Sequence, residues 1–544
     1  MKKATALAIA ALVPFVTLWA AGDEEMQTDT AARAIGGDPF APFDETVTFR
    51  LGVHRWANAP EGMTIEDNPF VDYVSDKLNV ELEVLWEVDP GGFEDKISLA
   101  MVSGDLPDAF MVSEGILLSL VEADLVTDLT EYYDKLVSPY IKDIHASYGD
   151  RLLDTVMFDG RMMAIPGTNL GGAQQMLWIR MDWLDKLGLE VPETLDEVIA
   201  VARAFVENDP DGNGADDTVG FTIEPKVAMR YNSIHGLDPV FAAFGAFPRL
   251  WIRDDAGDIV YGTIEPETKE ALRFVTQMYQ EGLIDKEFVA RVGSGDDANS
   301  VIAGGKAGMM FGPWWSPYWP LNLSVENDRS AIWKPFVAPL NDAGEFWAYN
   351  QNPNNGNLVV KKGYEYPDAI IKVLNVETEA RFASLAHEIE ALVQENQGTM
   401  GWWSMPLQLD YEDIVYRTYE RLDEALRNDS PDSLKVFDRL MYDAIVADRA
   451  NPRQDTSTWA EATARYDGQS LTYGDNILRR EVAFFGITPT MEQRWAALEK
   501  IEDEMMLRII TGEAGIDTFD EFVAQWKSIG GDQITEEVVA AVNR

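Results

Sequence analysis

The sequence predicts an α/β protein built as two or three lobes. At 544 residues it exceeds what one hydrophobic core can hold. Its first third alternates short apolar strands with amphipathic helices, and Ile165-Pro166-Gly167 breaks that alternation as a hinge step.

Lys2 and Lys3 precede an apolar run from Ala4 to Ala21, after which Asp23, Glu24 and Glu25 open a polar stretch. This is the layout of a secretory signal over residues 1–22, although the run is also long enough for an uncleaved membrane anchor. Residues 23–44 are rich in Ala, Gly, Asp and Pro without periodicity and read as a linker. Residues 46–53 alternate like a strand, 69–78 carry apolar positions at helical spacing, and 80–86 form a second strand. A helix over 93–102, a turn at Ser103-Gly104-Asp105-Leu106-Pro107-Asp108 and a strand over 109–112 continue the parallel α/β pattern. A strand at 177–180, a short helix at 182–187 and a helix at 194–206 capped by Thr194 with Glu197 follow. Further on come a helix at 269–281, a strand at 358–361 and a helix at 366–375. Beyond residue 410 helical spacing dominates, over 416–426, 433–447 and 491–510. No internal repeat is present.

Charge excludes several functions. With 93 acidic against 44 basic residues the net charge is −49, which repels phosphate backbones and anionic membranes, so no nucleic acid is expected as partner. The excess is spread along the chain and suits a solvated surface in salty surroundings. No cysteine exists, which removes disulfides, thiolate nucleophiles and Cys-ligated metals.

Between Gly304 and Leu321, Trp314, Trp315, Tyr318 and Trp319 fall within six residues of one another, interleaved with Pro313, Pro317 and Pro320. Proline removes backbone donors and fixes its own torsion, so this stretch is an irregular loop rather than a helix or central strand. A flat ring with a polar edge is a surface on which a sugar face stacks; the competing reading is that the rings are core.

A second stretch, 208–218, reads Asn-Asp-Pro-Asp-Gly-Asn-Gly-Ala-Asp-Asp-Thr. Oxygen-bearing side chains at 209, 211 and 213, with Gly214 free to turn, match a chain wrapping around Ca²⁺. Asp209, Asp211, Asn213, the Ala215 carbonyl and Asp217 are the expected ligands of a structural ion. Position twelve of such a loop is Gly220 rather than the usual bidentate Glu, and a solvated Asp/Gly turn is the alternative.

Evidence for catalysis is thin. The four histidines, His54, His145, His235 and His387, lie far apart without ligand spacing, and no nucleophile elbow, phosphate loop or dinucleotide fingerprint appears. A glycosidase would need paired carboxylates, and nothing singles out a pair.

Several segments together resemble the extracellular solute-binding proteins of bacterial ABC importers, in the oligosaccharide-binding lipoprotein subgroup. They are the 103–108 turn, Asp159-Gly160-Arg161-Met162-Met163-Ala164-Ile165-Pro166, the run Leu177 to Gly188, Phe241 to Pro248, Tyr261 to Glu267, Gly282-Leu283-Ile284-Asp285, and the aromatic loop after Gly304-Gly305-Lys306-Ala307-Gly308. The resemblance covers roughly residues 46–535. It implies a non-enzymatic receptor with a two-lobed periplasmic-binding-protein fold, crossing hinge strands and a ligand cleft between lobes. Residues 45–165 and 350–400 are then expected in the N-terminal lobe, and 166–349 and 401–544 in the C-terminal lobe. The implied partners are an oligosaccharide, with or without uronic acids, and the importer's membrane subunits, with the receptor a monomer in the periplasm or outside the cell. A peptide or other small solute is the rival ligand. Leu18-Trp19-Ala20-Ala21-Gly22 is similar to a lipoprotein signal whose lipid-accepting cysteine is replaced by Ala21, so no lipid anchor is expected.

The resemblance also assigns residues. Maltodextrin-binding relatives stack a tryptophan of a Gly-Pro-Trp segment on the sugar, the place taken by Trp314, with Trp315, Tyr318 and Trp319 beside it. Trp402 and Trp403 are similar to a second aromatic loop, and Arg55 and Trp56 follow the first strand toward the cleft edge. Arg180 is a further candidate, with pairing to Asp182 as its alternative. The run Gln351-Asn352-Pro353-Asn354-Asn355-Gly356-Asn357 binds hydroxyls or forms a turn. Alginate- and glycosaminoglycan-binding members carry a calcium loop with an acid where this chain has Thr218, so that one ligand is either weakened or replaced by the threonine hydroxyl. For an anionic ligand the candidates are Arg55, Arg180, Arg230, Arg249 and Lys306.

Overall fold

The computed structural model describes residues 35–55, 62–228, 231–290, 296–396, 404–405 and 407–543. The expected signal segment and residues 23–34 of the expected linker lie outside them.

The first lobe grows from one strand–helix–strand unit. Asn68 accepts hydrogen bonds from the Phe70 and Val71 backbone N–H groups, both at 3.1 Å, and Pro69 presets the first turn, so the Pro69–Leu78 helix starts there. It ends at Asn79, whose φ of 55° is left-handed, a conformation asparagine tolerates. The flanking strands Val47–His54 and Val80–Val88 pair in parallel, and Ala109–Val112 pairs in parallel on the other side. Asn354–Val360 then returns antiparallel between Ala109–Val112 and Ile165–Thr168. The sheet is therefore mixed, with the returning strand running against the other four.

The sequence-predicted helix over 366–375 is longer than expected, Pro367–Phe382, because it is buried on nearly every side. Ala369, Ile370, Ile371, Val373, Leu374 and Val376 are all in the core, so no apolar stripe marks its limits. Its buried Asn375 accepts from the Ser138 N–H at 2.9 Å and donates to the Leu136 carbonyl at 2.7 Å, satisfying neighbouring helix ends.

In the second lobe the strand order is Trp333–Phe336, Met176–Arg180, Ala307–Gly312, Val219–Phe221. Every residue of Met176–Arg180 is buried, which agrees with its continuous apolar run. The Leu195–Glu207 helix opens with a complete capping box of Thr194 and Glu197. Its Phe205 lies so near the sheet that a Cβ at Gly308 would sit 2.2 Å from the ring. One core cluster runs from Phe43 to Ile165 and from Leu358 to Val393, extended by Met405, Leu407, Leu409 and Val436. A second runs from Leu177 to Ala338 and from Met491 to Val538. The chain is two-lobed and α/β, as expected.

Three chain segments lie side by side where the lobes meet. The Thr168 N–H donates to the Gln408 carbonyl at 2.8 Å, Asn169 N–H to the Pro353 carbonyl at 2.8 Å, and Gly171 N–H to the Glu412 carbonyl at 2.7 Å. Side chains add stitches: Asn169 Nδ2 donates to the Asn352 carbonyl at 2.9 Å, Gln351 Nε2 to the Leu170 carbonyl at 2.8 Å, and Asn355 Nδ2 to Gln408 Oε1 at 3.1 Å. Asp410 N–H donates to Thr168 Oγ1 at 2.8 Å. The Asn-rich run is thus one of three crossings in a hydrogen-bonded joint, with 168–171 bonded to both of the others. Among the described residues no helix is long and apolar enough to cross a membrane.

Candidate functional site

Trp314 follows the end of the buried Ala307–Gly312 strand, and its backbone is held from several directions. The Trp178 indole N–H donates to the carbonyls of Gly312 and Pro313 at 3.1 and 3.2 Å, and Ser316 Oγ donates to the Pro313 carbonyl at 2.8 Å. Opposite, Gly468 comes so close that a Cβ there would lie 2.6 Å from the Trp314 carbonyl oxygen. Only glycine fits this approach.

The Trp314 ring meets Tyr318 edge-on, with centroids 6.4 Å apart, and the Arg465 guanidinium lies 5.0 Å from its centre. Arg465 Nε donates to Glu461 Oε1 at 3.0 Å, and the Tyr318 hydroxyl donates to Glu461 Oε2 at 2.6 Å. Burial raises the Tyr318 pKa well above the usual phenol value, so the hydroxyl stays protonated. Four side chains therefore lock one another, and Trp314 Nε1 is left buried without a hydrogen-bond partner among the described residues.

Trp314 and Arg465 line a cavity of about 710 Å³. Tyr140 and Arg381 reach it from the first lobe, Leu170, Asp410 and Tyr411 from the crossing segments, and the Ile414–Asn428 and Val436–Ala450 helices close it. Its size falls within the range of about 300–1,000 Å³ common for small-molecule sites. Tyr411 donates to Asp143 Oδ2 at 2.7 Å and lies beneath Arg417, 4.4 Å from ring centre to guanidinium. Burial holds the Asp410 carboxyl above the usual carboxylate range, against the lowering field of Arg381 and a hydrogen bond from Gln408.

The other sequence-predicted residues fall elsewhere. Trp315 is half-buried and donates to Asn232 Oδ1 at 2.6 Å; Trp319 is 40% exposed; neither lines this cavity. Arg55 is exposed on the sheet edge beside Asp89 at 3.3 Å and Glu87 at 3.8 Å. Arg180 is buried under Trp183 and binds both oxygens of Asp182, at 2.8 and 2.6 Å, with Asp328 at 3.4 Å, so its pairing alternative is the one formed. Arg249 lies 3.1 Å from the buried Glu502, and Lys306 is 3.0 Å from Asp217. Trp56, Arg230, Trp402 and Trp403 lie outside the described residues. Arg381 and Lys435 were missed, because each sits near a helix end without any local motif.

The acidic loop wraps inward. Asp209 Oδ1 accepts from Gly212 and Asn213 N–H at 3.1 and 3.2 Å, and its Oδ2 from Gly214 N–H at 3.0 Å. Asn213 Nδ2 donates to Asp211 Oδ2 at 2.8 Å and Asp217 Oδ1 at 3.0 Å, drawing two carboxylates toward one donor. Asp209 titrates below the usual range, first through its hydrogen bond with Asp211; Asp211 titrates above it, first through burial. The set of oxygens suits a hard cation if Asn213 turns its amide oxygen inward. Beside the loop, Lys186 Nζ donates to the Pro210 carbonyl at 2.8 Å. Thr218 differs from expectation. It is buried and donates to the Phe205 carbonyl at 2.8 Å, closing the preceding helix rather than facing the loop centre.

Three known proteins frame this geometry. Lipoprotein LipO of Bacillus subtilis (strain 168) is 26% identical over 473 residues, 84% of this chain and 85% of its own. The polygalacturonan/rhamnogalacturonan-binding protein YtcQ of the same organism is 24% identical over 463 residues, with the same coverage. The S. pneumoniae substrate-binding protein FusA in complex with kestose shares the fold at a TM-score of 0.58 and 18% identity, covering 91% of this chain and 99% of that one. The family described as bacterial extracellular solute-binding protein matches residues 66–379. The chain belongs to that family.

Proposed function

We propose that this protein is an extracellular receptor that captures an oligosaccharide between its lobes and presents it to the membrane subunits of an ABC importer. The observation that carries this is Trp314: an indole held rigidly by Trp178, Arg465 and the Gly468 backbone, exposed to a 710 Å³ cavity where both lobes and the crossings converge. A preorganised ring costs little to order on binding, and its flat face matches the apolar face of a pyranose. YtcQ and FusA, named for a polygalacturonan or rhamnogalacturonan and for a fructo-oligosaccharide, the latter 31% identical over 40% of this chain, support the ligand class. Binding by lobe closure at the stitched joint would select the closed form, and the importer would read that form. The receptor works as a monomer and without chemistry on its ligand.

Calcium belongs to the same proposal as a structural ion on Asp209, Asp211, Asn213, Asp217 and the Ala215 carbonyl, none of which lines the cavity. Thr218 has no part in it.

The test is a thermal-shift screen against neutral and acidic oligosaccharides, followed by chromatography of each stabilising sugar after incubation. A sugar that raises Tm and returns intact supports a receptor. A cleaved sugar would mean an enzyme, and stabilisation by peptides alone would move the ligand class.

A further inference from the structure

The cavity is basic in a chain that carries two acids for every base. Arg381, Arg417, Arg421, Lys435 and Arg465 line it, against the carboxylates of Asp410, Glu424 and Asp438. Three of these cations are answered. Arg465 pairs with Glu461 at 3.0 Å, Arg417 with Asp413 at 2.6 Å, and Arg421 with both oxygens of Asp438, at 2.6 and 3.2 Å.

Two are not. Arg381 makes no hydrogen bond or ion pair among the described residues; Glu377 and Asp410 act on it only as more distant charges. Lys435 has no carboxylate at ion-pair distance and donates to the carbonyl of Phe382, the residue next to Arg381. Burial and the neighbouring Arg421 both disfavour its charge. Arg381 rests on the Phe382 ring, 4.8 Å from its centre, but a buried guanidinium without hydrogen-bond acceptors is costly to hold, and an anion that supplies two acceptor oxygens removes that cost. Arg381, always charged and fork-shaped, suits such a group better than lysine does.

We propose that the saccharide bound here is acidic, its carboxylate or sulfate ester held by Arg381 with Lys435 while a sugar ring stacks on Trp314. This rests on the oligosaccharide-receptor reading and adds the charge of the ligand to it. The strongly negative surface then repels the ligand at long range, and the local pair of cations overcomes that field at the site.

Isothermal titration of the full chain with tetragalacturonate, and with the same tetramer fully methyl-esterified, tests it. A charge-assisted contact predicts that the acid binds about 10- to 100-fold more tightly than the ester. Raising the ionic strength should narrow that gap, and Arg381→Met should remove most of it, with Lys435→Met removing part. A parallel pair, a sulfated galactan oligomer and its desulfated form, separates carboxylate from sulfate ester as the source. Equal affinity for charged and neutral partners in both pairs overturns the inference while leaving the receptor intact. So does a preference that survives both substitutions. If neither form of either sugar binds, both readings fall.

Discussion

Arg465 lies over the face of Trp314, 5.0 Å from the ring centre, and is itself held at 3.0 Å by Glu461. The guanidinium fixes the orientation of the ring, and an ordered indole is what stacking of a sugar C–H face requires. Trp314→Ala should abolish oligosaccharide binding with the fold retained. Arg465→Met should weaken binding about 10-fold through loss of ring positioning. Titration calorimetry alongside near-ultraviolet circular dichroism checks both. Unchanged affinity in Trp314→Ala would return that ring to the core.

Chelation reads out the acidic loop. An ion bound only by the folded state adds about 2.7 kcal/mol at a free concentration near 100 times its Kd. EDTA should therefore lower Tm by several degrees, and Asp211→Ala should erase most of that sensitivity. Identical melting curves with and without chelator would leave the loop as a hydrogen-bonded turn.

Glu377 gives stability a pH dependence. Its buried carboxyl accepts from the backbone N–H of Ser404 at 2.8 Å and of Met405 at 3.1 Å, and from the Ser404 hydroxyl. Burial nonetheless pushes its pKa up to about 7 from the ordinary glutamate value of 4.5. The folded state thus keeps a proton that the unfolded state releases, so this contribution is complete below pH 4.5 and lost as pH rises through 7. The loss should be on the order of 3–4 kcal/mol. Urea unfolding across this window should show it, and Glu377→Gln should flatten the profile.

The joint can be probed at Asn354, which is buried and donates to Thr155 Oγ1 at 2.7 Å and Asn357 Oδ1 at 2.9 Å while accepting from Gly356 N–H at 2.7 Å. Asn354→Ala removes all three bonds, leaving the Gly356 N–H and Asn357 Oδ1 without these partners, while Thr155 Oγ1 keeps its bond to the Leu152 carbonyl at 2.7 Å. A loss of about 2–3 kcal/mol in urea unfolding is expected, since each buried unsatisfied group costs about 1–3 kcal/mol. No measurable loss would mean that water replaces the side chain.

Elements with local signals were legible in the sequence. Asn68-Pro69 and the Thr194/Glu197 pair are written within one turn, and the helices they start were read to within a residue. The Pro367–Phe382 helix was read short because burial all round erases periodicity, and Arg381 near its end carries no mark of the cavity it enters. The aromatic stretch was read as a loop, whereas Pro317–Leu321 forms a helical turn, kinked at the extended Trp319, that leads into the Asn322–Asn327 helix; which of its rings enters the cavity depends on Trp178 and Gly468, more than a hundred residues away in sequence. The same holds for the run from Gln351 to Asn357. Its amides find partners in two distant segments, so composition alone left sugar binding and turn formation equally open.

The stitches that tie crossing to crossing, from Asn169, Gln351, Asn355 and Thr168, are made by amides, a hydroxyl and backbone groups alone. None of these groups titrates, and none gains or loses strength by ionic screening as a charge pair does. A protein bearing 49 excess negative charges feels every change of salt and acidity over its surface. Those bonds do not. Charged groups sit beside them, with Asn352 Nδ2 donating to Glu114 at 2.7 Å and Arg151 to Glu412 at 3.0 Å. The bonds between crossings thus hold their strength across media, and salt and acidity reach the pivot through these flanking carboxylates.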